Sequence, residues 1–173
     1  MNTKIRRLIE ASMCLAVGLV LPFITGQIPA IAKVISPMHI PVLICGLAVG
    51  WPYGLVVGLV TPLLRSLLFG MPALFPNAVS MAFELAAYGL VSGLVCAAFP
   101  EKNLKSVYIS LVAAMLAGRV VMGLVNAVLY RFLGTPYGFR EFFAAGFVNA
   151  LPGIIIHLLL IPPIVLAIEK ARK

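Results

Sequence analysis

The chain has 173 residues, yet it contains no aspartate, and five glutamates are its only acids. This absence excludes paired-aspartate metal chemistry, and no Walker A phosphate loop occurs either. The three cysteines show no CxxC or Cys/His ligand spacing, so we predict small buried hydrophobic residues and no disulfide framework. Charge is equally scarce: 10% of the residues are charged and 62% are hydrophobic.

That balance, with a mean hydropathy of +1.12, is typical of membrane proteins. A spanning helix needs roughly 20 apolar residues, so most of the chain must lie in a bilayer. Residues 1–173 are predicted to form one all-α integral membrane domain, without room for a second.

Six apolar segments are predicted to be transmembrane helices, and the second of them is predicted to be short. Their approximate ranges are 7–25, 39–50, 53–69, 78–99, 107–132 and 147–168. Glycine and proline mark the breaks at 26–29, 51–52, 70–76, 100 and 134–138. The first segment resembles a signal peptide, but its apolar stretch is longer than a usual h-region, which favours a retained helix.

The net charge of +8 is an orientation signal rather than a nucleic-acid footprint, because the basic residues cluster. One group lies near the termini and in the loop between the fourth and fifth segments: Lys4, Arg6, Arg7, Lys102, Lys105, Lys170, Arg172 and Lys173. Only Lys33, Arg131 and Arg140 fall on the opposite side. The excess predicts that both termini lie in the cytoplasm and that the chain is a multi-pass membrane protein.

Arg65 and Glu84 are isolated charges inside consecutive apolar segments. An ion in hydrocarbon is costly and is by default a functional-site hypothesis. Counting along the helices puts both side chains in the outer half of the bilayer and His39 at the outer mouth. The pair therefore predicts a polar cavity.

Polar residues also form a stripe on each of three helices. The stripes are Ser80, Glu84 and Tyr88; Arg119, Asn126 and Tyr130; and Asn149, Gly153 and His157. We expect them to converge inside the bundle, although such side chains can also act as interhelical glue, and His157 favours a core role. The candidate substrate-binding residues are His39, Arg65, Glu84, Tyr88, Arg119, Asn126 and Asn149.

Three function classes compete. An intramembrane enzyme would need a nucleophile with a base or a metal cluster, and neither motif is present. A self-sufficient carrier would usually show internal repeats, although a small homo-oligomeric channel stays an alternative. A binding subunit that captures a solute and takes energy from a partner fits best.

The stretches PMHIPVL (37–43), PLLRSLLFGMPALFP (62–76) and MAFELAAYGLVSGL (81–94) resemble the substrate-binding S components of energy-coupling factor (ECF) vitamin transporters. The pantothenate-type group is the most similar. The resemblance implies a six-helix bundle that binds its ligand near the extracellular side, under the first-to-second loop. It also implies a transmembrane partner, two ATPases that hold ATP and Mg, and no cofactor or catalysis in this chain.

In that family a small-xxx-small face on the first helix contacts the transmembrane partner, and Ser12 and Ala16 match this spacing. The resemblance also implies that the subunit lies in a bacterial plasma membrane, where the whole subunit reorients to release the vitamin inward. Pantothenate carries a carboxylate, an amide and two hydroxyls, so it fits a site in which Arg65 grips the carboxylate. If Arg65 and Glu84 instead satisfy each other, a neutral ligand such as pyridoxine, hydroxymethylpyrimidine or a queuosine precursor fits as well.

Overall fold

The structure, a computed structural model, describes residues 3–24 and 37–172, and every regular element in those ranges is helical. The α-helices there are α1 (Thr3–Ile24), α2 (His39–Ile44), α3 (Trp51–Phe69), α4 (Val79–Ala97), α5 (Leu104–Phe132), α6 (Phe139–Phe143) and α7 (Leu151–Arg172). Three π-helical turns adjoin them: Cys45–Val49 after α2, Leu74–Ala78 before α4 and Ala144–Val148 after α6. All six predicted segments coincide with helices, whereas α6 was not predicted. The expected break at 26–29 lies outside the described residues.

Four stretches of the described chain are long and apolar enough to cross a membrane. They are Trp51–Phe69, Leu74–Ala97, Leu104–Phe132 and Phe139–Arg172. The apolar helix His39–Val49 is shorter, and at ~1.5 Å per residue it covers about half of a ~30 Å hydrocarbon core. The predicted short second helix is therefore confirmed.

Local chemistry explains where several helices begin and end. Gly50 has a φ of 129°, which side-chain-bearing residues rarely adopt. It lets the chain turn within one residue, between the π turn that follows α2 and the first residue of α3. Gly70, with a φ of 69°, ends α3 and donates its N–H to the Ser66 carbonyl at 2.9 Å. Asn103 caps α5, because its side chain accepts from the Ser106 N–H at 2.9 Å.

Helices α3 and α4 pack backbone to backbone along an antiparallel glycine seam. A Cβ added to Gly54 would lie 2.7 Å from the Gly89 carbonyl oxygen, and one on Gly58 would lie 2.3 Å from the Leu85 carbonyl oxygen. Neither position tolerates a side chain without movement. Small residues spaced four apart on α3 and on α4 therefore let these two helices approach closely.

The seam fixes relative depth. Gly54 lies opposite Gly89 and Gly58 opposite Leu85, so the same register continues to put Arg65 opposite Ala78. Glu84 is six residues further along α4, which is ~9 Å nearer the end of the bundle that holds Thr3 and Arg172. Arg65 and Glu84 therefore do not share one depth.

The core lies around α4, which packs against both α3 and α5, and its largest fully buried side chains include Leu43, Leu85 and Ile161. Large apolar side chains on the outer faces of the other long helices are exposed, among them Leu8, Leu67, Leu124 and Leu159. In water such a surface would promote aggregation, but against lipid tails it is compatible with a stable fold.

Candidate functional site

A buried polar cluster is centred on Glu84 of α4. Its Oε1 atom accepts a hydrogen bond from an Arg119 terminal nitrogen at 2.8 Å and another from the Tyr88 hydroxyl at 3.1 Å. The Nε2 atom of His39 lies 3.7 Å from the same oxygen. All four side chains are buried. The structure thus brings together four of the predicted site residues, from α2, α4 and α5.

His157 of α7 extends this cluster, although it was predicted to have a core role. Its ring is stacked on that of His39, with centroids 5.8 Å apart and an interplanar angle of 21°. His39 also contacts the Tyr88 ring, at 5.2 Å between centroids. The i, i+4 spacing of Asn149, Gly153 and His157 was the signal that could have included His157 in the site.

Gly118 makes room for Tyr88. A Cβ at this position of α5 would lie 2.0 Å from the Cε1 atom of the Tyr88 ring. The glycine therefore lets α5 approach the ring edge while Arg119, the next residue, reaches Glu84. Gly118 lies four residues after Ala114, a spacing typical of small packing residues, and nothing in the sequence indicates that it faces a tyrosine.

Arg119 neutralises Glu84 but retains hydrogen-bonding capacity. Both of its side-chain contacts come from one terminal nitrogen, to Glu84 and, at 3.8 Å, to the Met122 sulfur. Its buried Nε atom has no hydrogen-bond partner in the described part of the chain. A guanidinium carries five N–H donors in a fixed fork, so this one can still bind a polar group.

Arg65 belongs to a different environment, between α3 and α1. Its side chain is 3% exposed and donates to the Leu19 carbonyl, and its guanidinium carbon lies 4.8 Å from the Phe23 ring centroid and 5.4 Å from that of Phe69. None of the ion pairs within residues 3–24 and 37–172 involves it. The sequence left open whether Arg65 pairs with Glu84 or binds a ligand. In the structure Glu84 pairs with Arg119 and His39 instead.

The depth predicted for His39 is wrong. We expected it at the outer mouth, but it is buried beside Glu84. The reason is that its helix is short. Together with its π turn, α2 covers only residues 39–49 before the turn at Gly50, so its first residue lies at the level of the cluster and not at the end of the bundle. The loop expected to cover the ligand, between α1 and α2, lies outside the described residues.

The two predicted asparagines do not join the cluster. Asn126 is half-buried, and its side-chain nitrogen donates to the Tyr137 hydroxyl at 3.4 Å. Asn149 is exposed. Their roles in substrate binding stay predictions.

The predicted docking residues Ser12 and Ala16 are both exposed on α1. The Ser12 hydroxyl donates to the Leu8 carbonyl at 2.9 Å, so its polarity is satisfied within the helix. Exposed apolar side chains flank both, including Met13 and Val17. The face is therefore accessible to a partner.

No group of three or more His, Cys, Asp or Glu side chains suited to hold a metal ion occurs in residues 3–24 and 37–172. A protein-family model described as "ECF transporter, substrate-specific component" matches residues 6–165. No curated protein and no solved structure matches the chain.

Proposed function

The chain belongs to the ECF transporter substrate-specific component family, and we propose that it captures a small water-soluble vitamin that carries a carboxylate, with pantothenate as the best candidate. Members of this family are multi-pass, substrate-binding membrane subunits of a transporter and not enzymes. They act with ECF transmembrane and ATPase subunits.

The observation that carries the proposal is the environment of Arg65. A cation inside a membrane is expensive, by roughly 2.5–3.5 kcal/mol or more on insertion scales. Within the described residues, one carbonyl and two aromatic rings face the guanidinium, and no carboxylate forms an ion pair with it. A substrate carboxylate would supply the missing charge in a bidentate geometry.

The Glu84 cluster supports the remainder of the ligand. The Glu84 carboxylate has two acceptor oxygens for hydroxyl or amide donors, while the open Nε of Arg119 can donate to a carbonyl. The helical register separates Arg65 from Glu84 by ~9 Å along the axis. An elongated ligand with a carboxylate at one end and hydroxyls at the other, such as pantothenate, matches that polarity.

A second class of substrate is favoured by the stacked rings of His39 and His157. These rings and Tyr88 offer flat surfaces to a neutral heterocycle such as pyridoxine, hydroxymethylpyrimidine or a queuosine precursor. In that case Arg65 serves mainly to hold α1 against α3.

We propose that energy comes entirely from partners. ATP and Mg are expected only in two ATPase subunits, and Ser12 and Ala16 would contact the transmembrane partner. The basic residues at both ends of the chain favour cytoplasmic termini. Substrate capture from outside and reorientation of the subunit would then deliver the vitamin inward.

The test is a thermal-shift screen of the detergent-solubilised chain against a panel of water-soluble vitamins. A ligand that binds only the folded state raises the melting temperature by mass action. We expect the largest shift with pantothenate. A shift only with pyridoxine or another neutral heterocycle would reject the carboxylate substrate, and turnover of any compound by the isolated chain would reject the binding-subunit role.

A further inference from the structure

A cleft of about 500 Å³ lies at the end of the bundle away from Arg65. The turn from α2 to α3, residues 46–53, forms its roof. Its walls are the beginning of α1, the end of α4 and the end of α7, together with Lys102. The positive charges predict that this end faces the cytoplasm.

The cleft exists because the turn between α2 and α3 is recessed. A Cβ on Gly93 would lie 2.5 Å from the Trp51 nitrogen, so the start of α3 abuts α4 at that residue, and α4 continues for four more residues, ~6 Å, to Ala97. Arg172 links the Ala48 carbonyl to Glu10, and α1 extends seven residues, ~10 Å, beyond Glu10 to Thr3. The walls therefore project past the roof.

Positive charge is in excess in this cleft. Its lining includes four cationic side chains, Arg6, Arg7, Lys102 and Arg172, against two carboxylates, Glu10 and Glu169. Both carboxylates already form ion pairs with cationic side chains of the cleft.

Glu10 binds Arg6 at 3.0 Å and Arg172, and Glu169 lies 3.3 Å from Lys102 and 3.6 Å from Arg172. Arg7 has no ion-pair partner among the described residues. An anion in the cleft would meet two uncompensated positive charges.

The rim of the cleft adjoins apolar surface. Trp51, which is 43% exposed, lines the cleft at the start of α3. On α1, Ile5, Leu8 and Ile9 are exposed beside Arg6 and Arg7. Tryptophan is enriched at membrane–water interfaces, and basic pockets between helices on the cytoplasmic side suit anionic headgroups. A ligand with a phosphate and hydrocarbon tails could bind the basic cleft through the phosphate and the apolar rim through the tails.

We propose that this cleft binds the phosphate of an anionic phospholipid headgroup, with Arg7 as a principal contact. The proposal does not depend on which vitamin the protein carries. The phosphodiester of one bound lipid carries a single negative charge and would offset half of the excess, and its acyl chains would lie beside the exposed Ile5, Leu8 and Ile9 at the beginning of α1.

Trp51 is the only tryptophan in the chain, so its fluorescence reports on the cleft directly. The full chain is reconstituted into phosphatidylcholine vesicles. In one series the vesicles contain increasing fractions of brominated phosphatidylglycerol, and in the other increasing fractions of brominated phosphatidylcholine. We expect half-maximal quenching at an about fivefold lower mole fraction of the brominated phosphatidylglycerol. Arg7→Gln should remove this preference, whereas Arg7→Lys and the distant Arg140→Gln should keep it.

Equal quenching by the two brominated lipids, or a preference that survives Arg7→Gln, would overturn the proposal. Inorganic phosphate is added in a separate arm at matched ionic strength, with chloride as the control. If millimolar phosphate, but not chloride, displaces the brominated phosphatidylglycerol and restores Trp51 fluorescence, the cleft is assigned to a soluble phosphate compound instead of a lipid. Far-UV circular dichroism of each variant checks that the helices remain folded.

Discussion

Glu84 and Arg119 form a buried ion pair, with 2.8 Å between the carboxylate oxygen and a terminal nitrogen of the guanidinium. The pair joins the first half of α4 to the middle of α5, whereas Arg65 of α3 lies in a separate environment. Among residues 3–24 and 37–172, one buried acid and two buried arginines therefore divide into the Glu84–Arg119 ion pair and a single Arg65 without a carboxylate partner.

Arg65→Gln should abolish binding of a carboxylate substrate while the protein stays folded. The substitution removes the guanidinium fork but keeps a shorter, uncharged polar side chain. Isothermal titration of the purified variant with pantothenate measures the effect. Arg140→Gln, an exposed arginine in α6, is the matched control and should bind normally. Unchanged affinity of the Arg65 variant would remove the basis of the proposed substrate class.

Glu84→Gln and Arg119→Met should each lower the free energy of unfolding by about 3–5 kcal/mol, because each leaves a buried charge without its partner. The double variant should be destabilised by clearly less than the sum of the two single effects. Denaturation in detergent measures all three variants, with exposed Glu101→Gln as a control. Additive losses would show that the two side chains do not depend on each other.

Gly118→Ala should weaken ligand binding without disrupting α5. Alanine favours helix, but its methyl group would meet the Tyr88 ring at 2.0 Å and displace it from Glu84. Adding Tyr88→Ala should remove the clash but not restore binding, because it also removes the hydroxyl that donates to Glu84. Leu116→Ala on the exposed side of α5 is the control. A single variant that keeps full affinity would argue against a role for Tyr88.

Replacement of both Ser12 and Ala16 by leucine should block transport but leave binding intact. Leucine at both positions would prevent close approach of a partner helix, since small residues let backbones come together. Uptake by cells that contain the complete transporter is compared with ligand affinity of the isolated subunit. A Met13→Leu/Val17→Leu variant alters the adjacent exposed face with little change in volume and should transport normally. Normal uptake by the Ser12/Ala16 variant would contradict the docking face.

Helix positions could be predicted from the sequence because glycine and proline interrupt apolar runs at nearly every boundary. The predicted range 53–69 ends where α3 ends, and the prediction of a short second helix is correct. The segment around α6 was missed because Phe139–Phe143 mixes aromatic and charged residues and has no clear helical period.

The partners within the site could not be predicted, because they depend on the register between helices. Arg65 and Arg119 are both plausible partners for Glu84 by composition and approximate depth. The contacts of Gly54 with Gly89 and of Gly118 with Tyr88 decide between them, and neither contact is visible in one sequence. The same reason explains His39: its helix was identified correctly, but its depth follows from packing.

The glycine seam limits how the subunit can open. Two backbones in direct contact, with no side chain between them, cannot slide or twist past each other without atomic overlap. We therefore expect α3 and α4 to move as one rigid plate. The helices beside that plate must then move when a solute enters or leaves the subunit. Probes of conformational change are therefore best attached to α1 and α7.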